Sequence, residues 1–340
     1  MKILILGNFG HYNNQIDGQT IKTRNIYLLF KNKLSDDVSF IDISEVKANK
    51  FLIFKVFFSL IKCNSLIYLP GRNNLKFIFP LLHFMSYILQ YKINYFVIGG
   101  WLPEFLKRHS IHTLLLKNIN AIYVETDNMD LKLQNLFGLK KNHVIPNFRI
   151  HNFPRIINNC GSSLKIVFMS RIIIEKGIDL IFDFVKNSMA EKPNFKFQLD
   201  FYGQIKPDFY DYFLSEINKY SNVKYKGVAD PDRVHEILNL YDLLLLPTRY
   251  IGEGFPGAVI DAYISSIPVI ASKWKDIPNF IVEGETGFTF ELTEVNMFYH
   301  YIFKLGENQQ LLKSMKIRAY EQSLKYSSEN CWHIIEETLF

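Results

Sequence analysis

Short apolar runs alternate with longer amphipathic stretches along most of the chain, and this alternation predicts parallel strands separated by helices. In the first part the runs are KILIL (2–6), VSFIDI (38–43), SLIYLP (65–70), YFVIGG (95–100) and AIYVET (121–126). A helical stretch follows the first run, from 20 to about 30, and helical patterns separate most of the others. Strands of a parallel sheet read as near-continuous Val, Ile and Leu because helices cover both faces. The stretch HVIPNFRIHNFPRIINNCGSS (143–163) carries two prolines, several asparagines and a glycine, and reads as a connection between domains. The pattern then restarts, with strands at 163–170, 197–203, 223–227, 242–247 and 268–272. Helices are predicted at 177–189, 208–220, 231–241 and over GAVIDAYISS, and the tail from about 294 is helical with breaks near Gly306 and at 326–330. The expected architecture is α/β: two Rossmann-like, doubly wound parallel-sheet domains facing a cleft, where the carboxyl ends of both sheets meet a ligand. The expected limits are 1–150, a linker at 151–162, a second domain at 163–322 and a C-terminal helix at 323–340 packing back on the first domain.

Composition narrows the class. A chain of 340 residues fits two domains of ordinary size, and 48% hydrophobic with 15% aromatic residues supports sizeable cores. The three cysteines, Cys63, Cys160 and Cys331, lie far apart and form no metal-ligand spacing, which fits a reducing, cytoplasmic setting. The N-terminus MKILILGNFG lacks the form of a signal peptide, and no apolar window reaches the length of about 18 residues that a spanning helix needs.

Charge changes the picture more. The net charge of +6 conceals a basic first half, with 19 Lys and Arg against 9 Asp and Glu over residues 1–150, and a mildly acidic second half. In the first half lysines are interleaved with apolar residues, as in KANKFLIFKVFFSLIK and LKFIFPLLHFMSYILQYK. Two readings fit: a surface resting on the inner face of an anionic membrane, or core helices with snorkelling lysines. No nucleic-acid-binding motif is present, so nucleic acid is not an expected partner.

Candidate chemistry lies at the strand ends of the second half. After the strand at 163–170, SRIIIEKG places Arg171 and Lys176 ahead of a helix start. Two cations there oppose the helix dipole, whereas an anion would be held by both of them and by the unpaired backbone N–H groups. A diphosphate satisfies this arrangement; a solvated pair of surface charges is the alternative. After LLLLP, the stretch GEGFPGAVIDA places Glu253 and Asp261 around another helix start, with seven residues between them. The N–H groups of Phe255, Gly257 and Ala258 suit an oxygen-rich ligand, and carboxylates suit sugar hydroxyls. The alternative makes Glu253 a capping acid and Asp261 a solvated helix residue.

Arg-x4-Lys at one strand end, followed about 80 residues later by an acid-x7-acid element, resembles the family 4-type glycosyltransferases of the GT-B fold. VIPNFR, with Asn147, is similar to the family's domain joint. ETGF (285–288) is similar to its GxxG-F turn, and DGQTIKTRNIY (17–27) to the loop and helix of members that build bacterial surface polysaccharides. The resemblance spans the chain, and its specific part is the second half. It implies retaining, metal-independent and cofactor-free transfer from a nucleotide-sugar, UDP-sugar favoured, to a lipid-linked or glycan acceptor. Arg171 and Lys176 would neutralise the diphosphate, Glu253 would hold the donor sugar, Asp261 the ribose, and Gly203 and Val228 would lie near the base. Three departures stand out: Asp261 replaces the second glutamate, Pro256 replaces a glycine, and Gly99, Gly100 and Trp101 stand where many members carry a histidine. His109 and His112, nearby, fit a surface helix.

In the first half, the loop GNFGHYNNQIDGQT is expected to face the cleft, with Gly18 allowing close approach and Gln19, Lys22 and Arg24 offering donors to phosphate or acceptor; an ordinary flexible loop is the alternative. Arg72 and Trp101 are further acceptor-side positions. A nucleotide-sugar epimerase, or a non-catalytic sugar- or lipid-binding relative, is the competing reading. A nicotinamide dehydrogenase is disfavoured because GNFGHYN lacks GxGxxG.

Overall fold

A computed structural model describes residues 1–12, 15, 17–46, 49, 51–150 and 161–339. The linker expected at 151–162 falls almost wholly outside the described residues, as does Cys160. The chain forms two compact units, Met1–His151 with Tyr326–Phe340, and Asn152–Lys325.

The first unit is built on a six-stranded parallel sheet of β1 (Ile3–Gly7), β2 (Val38–Asp42), β3 (Ser65–Leu69), β4 (Lys92–Phe96), β5 (Ala121–Val124) and β6 (Asn142–Val144). Its spatial order is β2-β1-β3-β4-β5-β6. The helices are α1 (Gly18–Leu34), α2 (Ile43–Val46), α3 (Leu52–Lys62), α4 (Arg72–Phe77), α5 (Phe79–Leu89), α6 (Leu102–Leu106), α7 (Ser110–Lys117) and α8 (Asp127–Phe137). Pleating sends alternate residues of β1 to opposite faces. Ile3 and Ile5 pack with Ile26 and Phe30 of α1, whereas Leu4 and Leu6 pack with Leu60 of α3, Phe79 of α5, Leu116 of α7 and Leu133 of α8. Helices α3, α5, α7 and α8 therefore line one face and α1 the other.

The sheet of the second unit is β7 (Leu164–Met169), β8 (Phe197–Tyr202), β9 (Val223–Tyr225), β10 (Leu243–Leu246), β11 (Val269–Ser272) and β12 (Gly287–Phe290), in the order β12-β11-β10-β7-β8-β9. Its helices are α9 (Ile178–Glu191), α10 (Tyr210–Ile217), α11 (Val234–Leu238), α12 (Gly257–Ile264), α13 (Val295–Glu307) and α14 (Gln309–Ser323). The last helix, α15 (Ser328–Leu339), belongs to the first unit, where Trp332, Ile335 and Leu339 join the core on the α1 side.

Three details differ from the sequence reading. Residues 142–144, placed mostly in the connection, form the edge strand β6. ETGF is only in part a turn: Gly287 begins β12, which pairs with β11 along four residues. β6 (Asn-His-Val) has a single apolar residue and β12 opens on the glycine of a turn signal, so neither presents an apolar run. His112 is not on a surface: it is buried, with its Nε2 3.1 Å from the Lys76 carbonyl. Burial raises the thiol pKa of Cys63 to about 11 and of Cys331 to about 12, so both are inert packing groups.

Candidate functional site

In an open α/β sheet the ligand crevice lies where the strand order reverses. In the second unit that point falls between β7 and β10, which are direct neighbours. The chain leaving β7 carries Arg171 and then a 3-10 turn, Ile174–Lys176, that leads into α9. Gly177 closes this turn at φ +78°, and a Cβ there would stand 2.0 Å from the Pro247 carbonyl oxygen. Only glycine lets the turn sit directly on the end of β10. The Arg249 N–H completes the seam by donating to the Glu175 carbonyl at 2.8 Å.

This seam delivers Lys176 to Glu253. Their Nζ and Oε2 atoms are 2.6 Å apart, with side chains only 7% and 9% exposed. The Thr248 hydroxyl donates to the same carboxylate oxygen at 3.0 Å and accepts from the Tyr250 N–H at 3.1 Å. The Tyr250 ring lies 5.1 Å from the Arg171 guanidinium and 5.4 Å from the Lys176 ammonium. Arg249 makes a two-pronged pair with Asp179 in the first turn of α9, at 3.1 and 2.8 Å. Arg171 itself is exposed and has no carboxylate partner among the described residues. Arg171, Lys176 and Arg249 thus gather at the start of α9 with Glu253 and Asp179, and Glu175 adds a third carboxylate to the same turn.

The alternative reading of the two acids does not hold. Pro256 occupies the N-cap of α12 and no side chain caps that helix, so Glu253 is not a capping acid. Asp261 is not a solvated helix residue: its carboxylate lies 3.1 Å from Nε2 of His235, on α11. Phe255 turns into the core, its ring centroid 3.8 Å from that of Phe280. Gly257 and Ala258 open α12, in the turn where a helix supplies no acceptor for its own N–H groups. Gly203 and Val228 are brought together because the Gly203 N–H donates to the Gly227 carbonyl at 2.9 Å. Gly203 is demanded by packing, since a Cβ there would stand 1.8 Å from the Ser170 oxygen, while Val228 is exposed.

The first unit divides its candidates. Its strand order reverses between β1 and β3, and there Gln19 lies beside Gly71, the residue before the exposed Arg72. Lys22 is held within the first unit. It is 5% exposed, and its ammonium meets Glu125 at 2.6 Å and the Val97 carbonyl at 3.3 Å. Arg24 is likewise committed, with Nε donating to the Phe9 carbonyl at 2.8 Å. Gly18 has open space around it, and Asp17, capping α1 through the Thr20 N–H, does the structural work there. The other Glu125 oxygen accepts from the Gly99 N–H at 3.3 Å, fixing the loop that carries Gly100. Trp101 is half-buried, edge-on to Phe105, and Asn147 is half-buried between Ile145 and Phe148. Among the described residues no three His, Cys, Asp or Glu side chains converge with metal-ligand spacing.

Thr248, Tyr250, His235 and Glu125 escaped the sequence reading. Only Glu125 left a signal, as the lone acid ending an apolar strand.

Residues 151–322, more than half of the chain, match the family model described as Glycosyl transferases group 1. The chain belongs to this family. An uncharacterized glycosyltransferase of Methanocaldococcus jannaschii is 26% identical over 241 residues, covering 68% of this chain and 66% of that protein. The alpha-galactosylglucosyldiacylglycerol synthase of Streptococcus pneumoniae is 25% identical over 207 residues, covering 59% of this chain and 52% of its own. The matched part of the group 1 chain thus spans from about half to just under two thirds of these relatives. Among solved structures, Anabaena HepE in complex with UDP and glucose superposes with a TM-score of 0.75 at 16% identity, covering 100% of this chain and 99% of that one. That likeness gives the fold: GT-B, with two Rossmann-like sheets.

Proposed function

We propose that this protein is a retaining glycosyltransferase that needs no metal, and that it moves a sugar from a UDP-sugar to a lipid-linked or glycan acceptor in cell-surface polysaccharide or glycolipid assembly at the cytoplasmic face of a membrane. The observation that carries the reading is the buried Lys176–Glu253 pair at the β7/β10 switch point, with the exposed Arg171 on the same turn.

Each part of a nucleotide-sugar has a matching group. Arg171 and Lys176 hold the diphosphate, helped by the positive end of α9. As the bond from the sugar to the diphosphate breaks, negative charge grows on the phosphate oxygen, and these two fixed cations stabilise it. Glu253 already holds the Lys176 ammonium in place, and its remaining acceptor capacity is directed to donor-sugar hydroxyls. Asp261, oriented by His235, accepts from the ribose, and Gly203 and Val228 flank the base. The acceptor-side roles rest on Gln19 and Arg72 rather than on Lys22 and Arg24. The similarity to a diacylglycerol-glycan synthase, and to a structure solved with UDP and glucose, supports this donor and acceptor class.

The test is a thermal-shift screen of UDP-, GDP- and dTDP-sugars followed by transfer assays in EDTA. A UDP-sugar should raise the unfolding temperature, turnover should survive EDTA, and Lys176→Ala should lower turnover by about a hundredfold or more. A fully active Lys176→Ala variant, or turnover that needs added Mg²⁺, would overturn the proposal.

A further inference from the structure

Helix α3 is apolar on two opposite sides. Leu52 and Leu60 point into the core, while Ile53, Phe54, Phe57, Phe58 and Ile61 point outward and are 45–63% exposed. Positions 54, 57, 58 and 61 follow the i, i+3, i+4, i+7 spacing of one helix stripe, so the outward residues form a ridge. The same arrangement recurs on α5, where Phe79 and Leu82 are buried but Leu81, Phe84, Tyr87 and Ile88 are 59–65% exposed. On α7, which packs against α5, Ile111 and Leu114 are also outward. The three helices cover the same face of one sheet, so their ridges project from one side of the unit, far beyond the scattered exposed side chains normal for a monomer.

We propose that this outer face of α3, α5 and α7 docks on the anionic leaflet of a lipid bilayer. Charge selects this occupant. Residues 46–103, which include α3, α4 and α5, contain seven Lys and Arg and no Asp or Glu. Lys55 and Lys62 flank the α3 ridge, and the Lys76 ammonium sits 5.2 Å from the ring centre of the 70% exposed Phe77. Phenylalanine and isoleucine entering the acyl boundary, with lysines reaching back to lipid phosphates, is the arrangement of an interfacial helix. A second copy of the chain would bring the same unneutralised cations face to face, which opposes that pairing. Among the described residues no helix is long and apolar enough to cross a membrane, so α3 and α5 lie on the bilayer. This deepens the proposed membrane-side acceptor and takes its biological setting from that reading, while the physical claim stands apart from the transfer reaction.

The experiment is co-sedimentation of the full chain with vesicles of phosphatidylcholine alone or with phosphatidylglycerol, at low and high salt, beside sedimentation without lipid. The chain should bind only the anionic vesicles and be weakened by salt. Phe54→Glu/Phe58→Glu should lower the partition at least about tenfold, and Lys55→Gln/Lys62→Gln about fivefold per lysine. Phe84→Glu/Ile88→Glu repeats the apolar test on a separate helix, and Met189→Glu on α9 should change nothing. Equal binding to both vesicle types, no binding at low salt, or undiminished binding by the ridge variants overturns the proposal. So does a lipid-free dimer that the ridge variants dissociate. Nucleotide-sugar thermal shifts on the same samples report the transferase reading separately. Vesicle binding without any shift would sink that reading and leave the docking surface standing; a shift without vesicle binding would do the reverse.

Discussion

At the scale of single residues, Lys176 and Glu253 form the most buried ion pair of the site, and their attraction offsets part of the cost of taking both charges out of water. Removing one partner leaves a buried charge alone, which costs about 3–5 kcal/mol. Lys176→Met and Glu253→Gln should therefore each lower the urea midpoint markedly, and the double variant should recover much of the loss because neither charge remains. Equal and additive losses in urea titration would show that the two side chains do not depend on one another. Turnover should stay lost in all three variants, which separates the catalytic contribution from the structural one. The motif residues themselves were legible, since Arg171, Lys176, Glu253 and Asp261 keep fixed spacings along the chain. Their supports were not, because His235 reaches Asp261 from another helix and no local pattern announces the meeting. Lys22 is the instructive miss. It lies four residues before Ile26 and eight before Phe30, on the buried stripe of α1, so the helical period already argued against a free donor.

At the scale of elements, the turn between β7 and α9 positions both cations proposed to hold the diphosphate. Gly177→Ala adds a methyl group where the Pro247 oxygen already stands and demands a left-handed backbone from a residue that resists it. The expected cost is about 2 kcal/mol or more, visible as a lower unfolding temperature, with turnover falling because Lys176 is displaced from Glu253. An unchanged unfolding temperature would mean that the turn accommodates a side chain and does not depend on close contact with β10. Apolar strands were readable even when short, as β9 and β10 are, whereas β6, with one apolar residue, and β12, which opens on a turn glycine, were not. Helices α3 and α5 posed a different difficulty: apolar on both sides, they fit burial and a lipid surface equally well until the exposure of Phe54, Phe58 and Phe84 separated the two.

At the scale of the whole molecule, the first unit carries a response to acid. His83, His112 and His143 all have their pKa lowered below the ordinary histidine value, in each case chiefly because burial disfavours the charged ring. Carbonyl hydrogen bonds oppose the shift at His83 and His112, and Asp130 opposes it at His143. The unfolded chain therefore binds more protons than the folded one as pH falls. The stability these rings contribute is complete above about pH 6.5 and is lost progressively as pH drops below it. Urea midpoints should decline between pH 7 and 5, and His112→Gln should flatten the decline; a variant with an unchanged slope would remove His112 from this account. The division into two sheets was legible because strand-helix alternation stops and restarts. The pairing of β7 with β10 was not, since strands neighbouring in space are separated by two others along the chain.

The placement of α15 has a consequence for synthesis on the ribosome. The second unit is one uninterrupted stretch and draws on no residue of α15. The first unit begins to emerge earlier yet waits for Trp332, Ile335 and Leu339 to seal the core around Ile3 and Ile5. The core of the first unit is thus closed by a helix that follows the whole second unit in the sequence, so the two units close in separate steps.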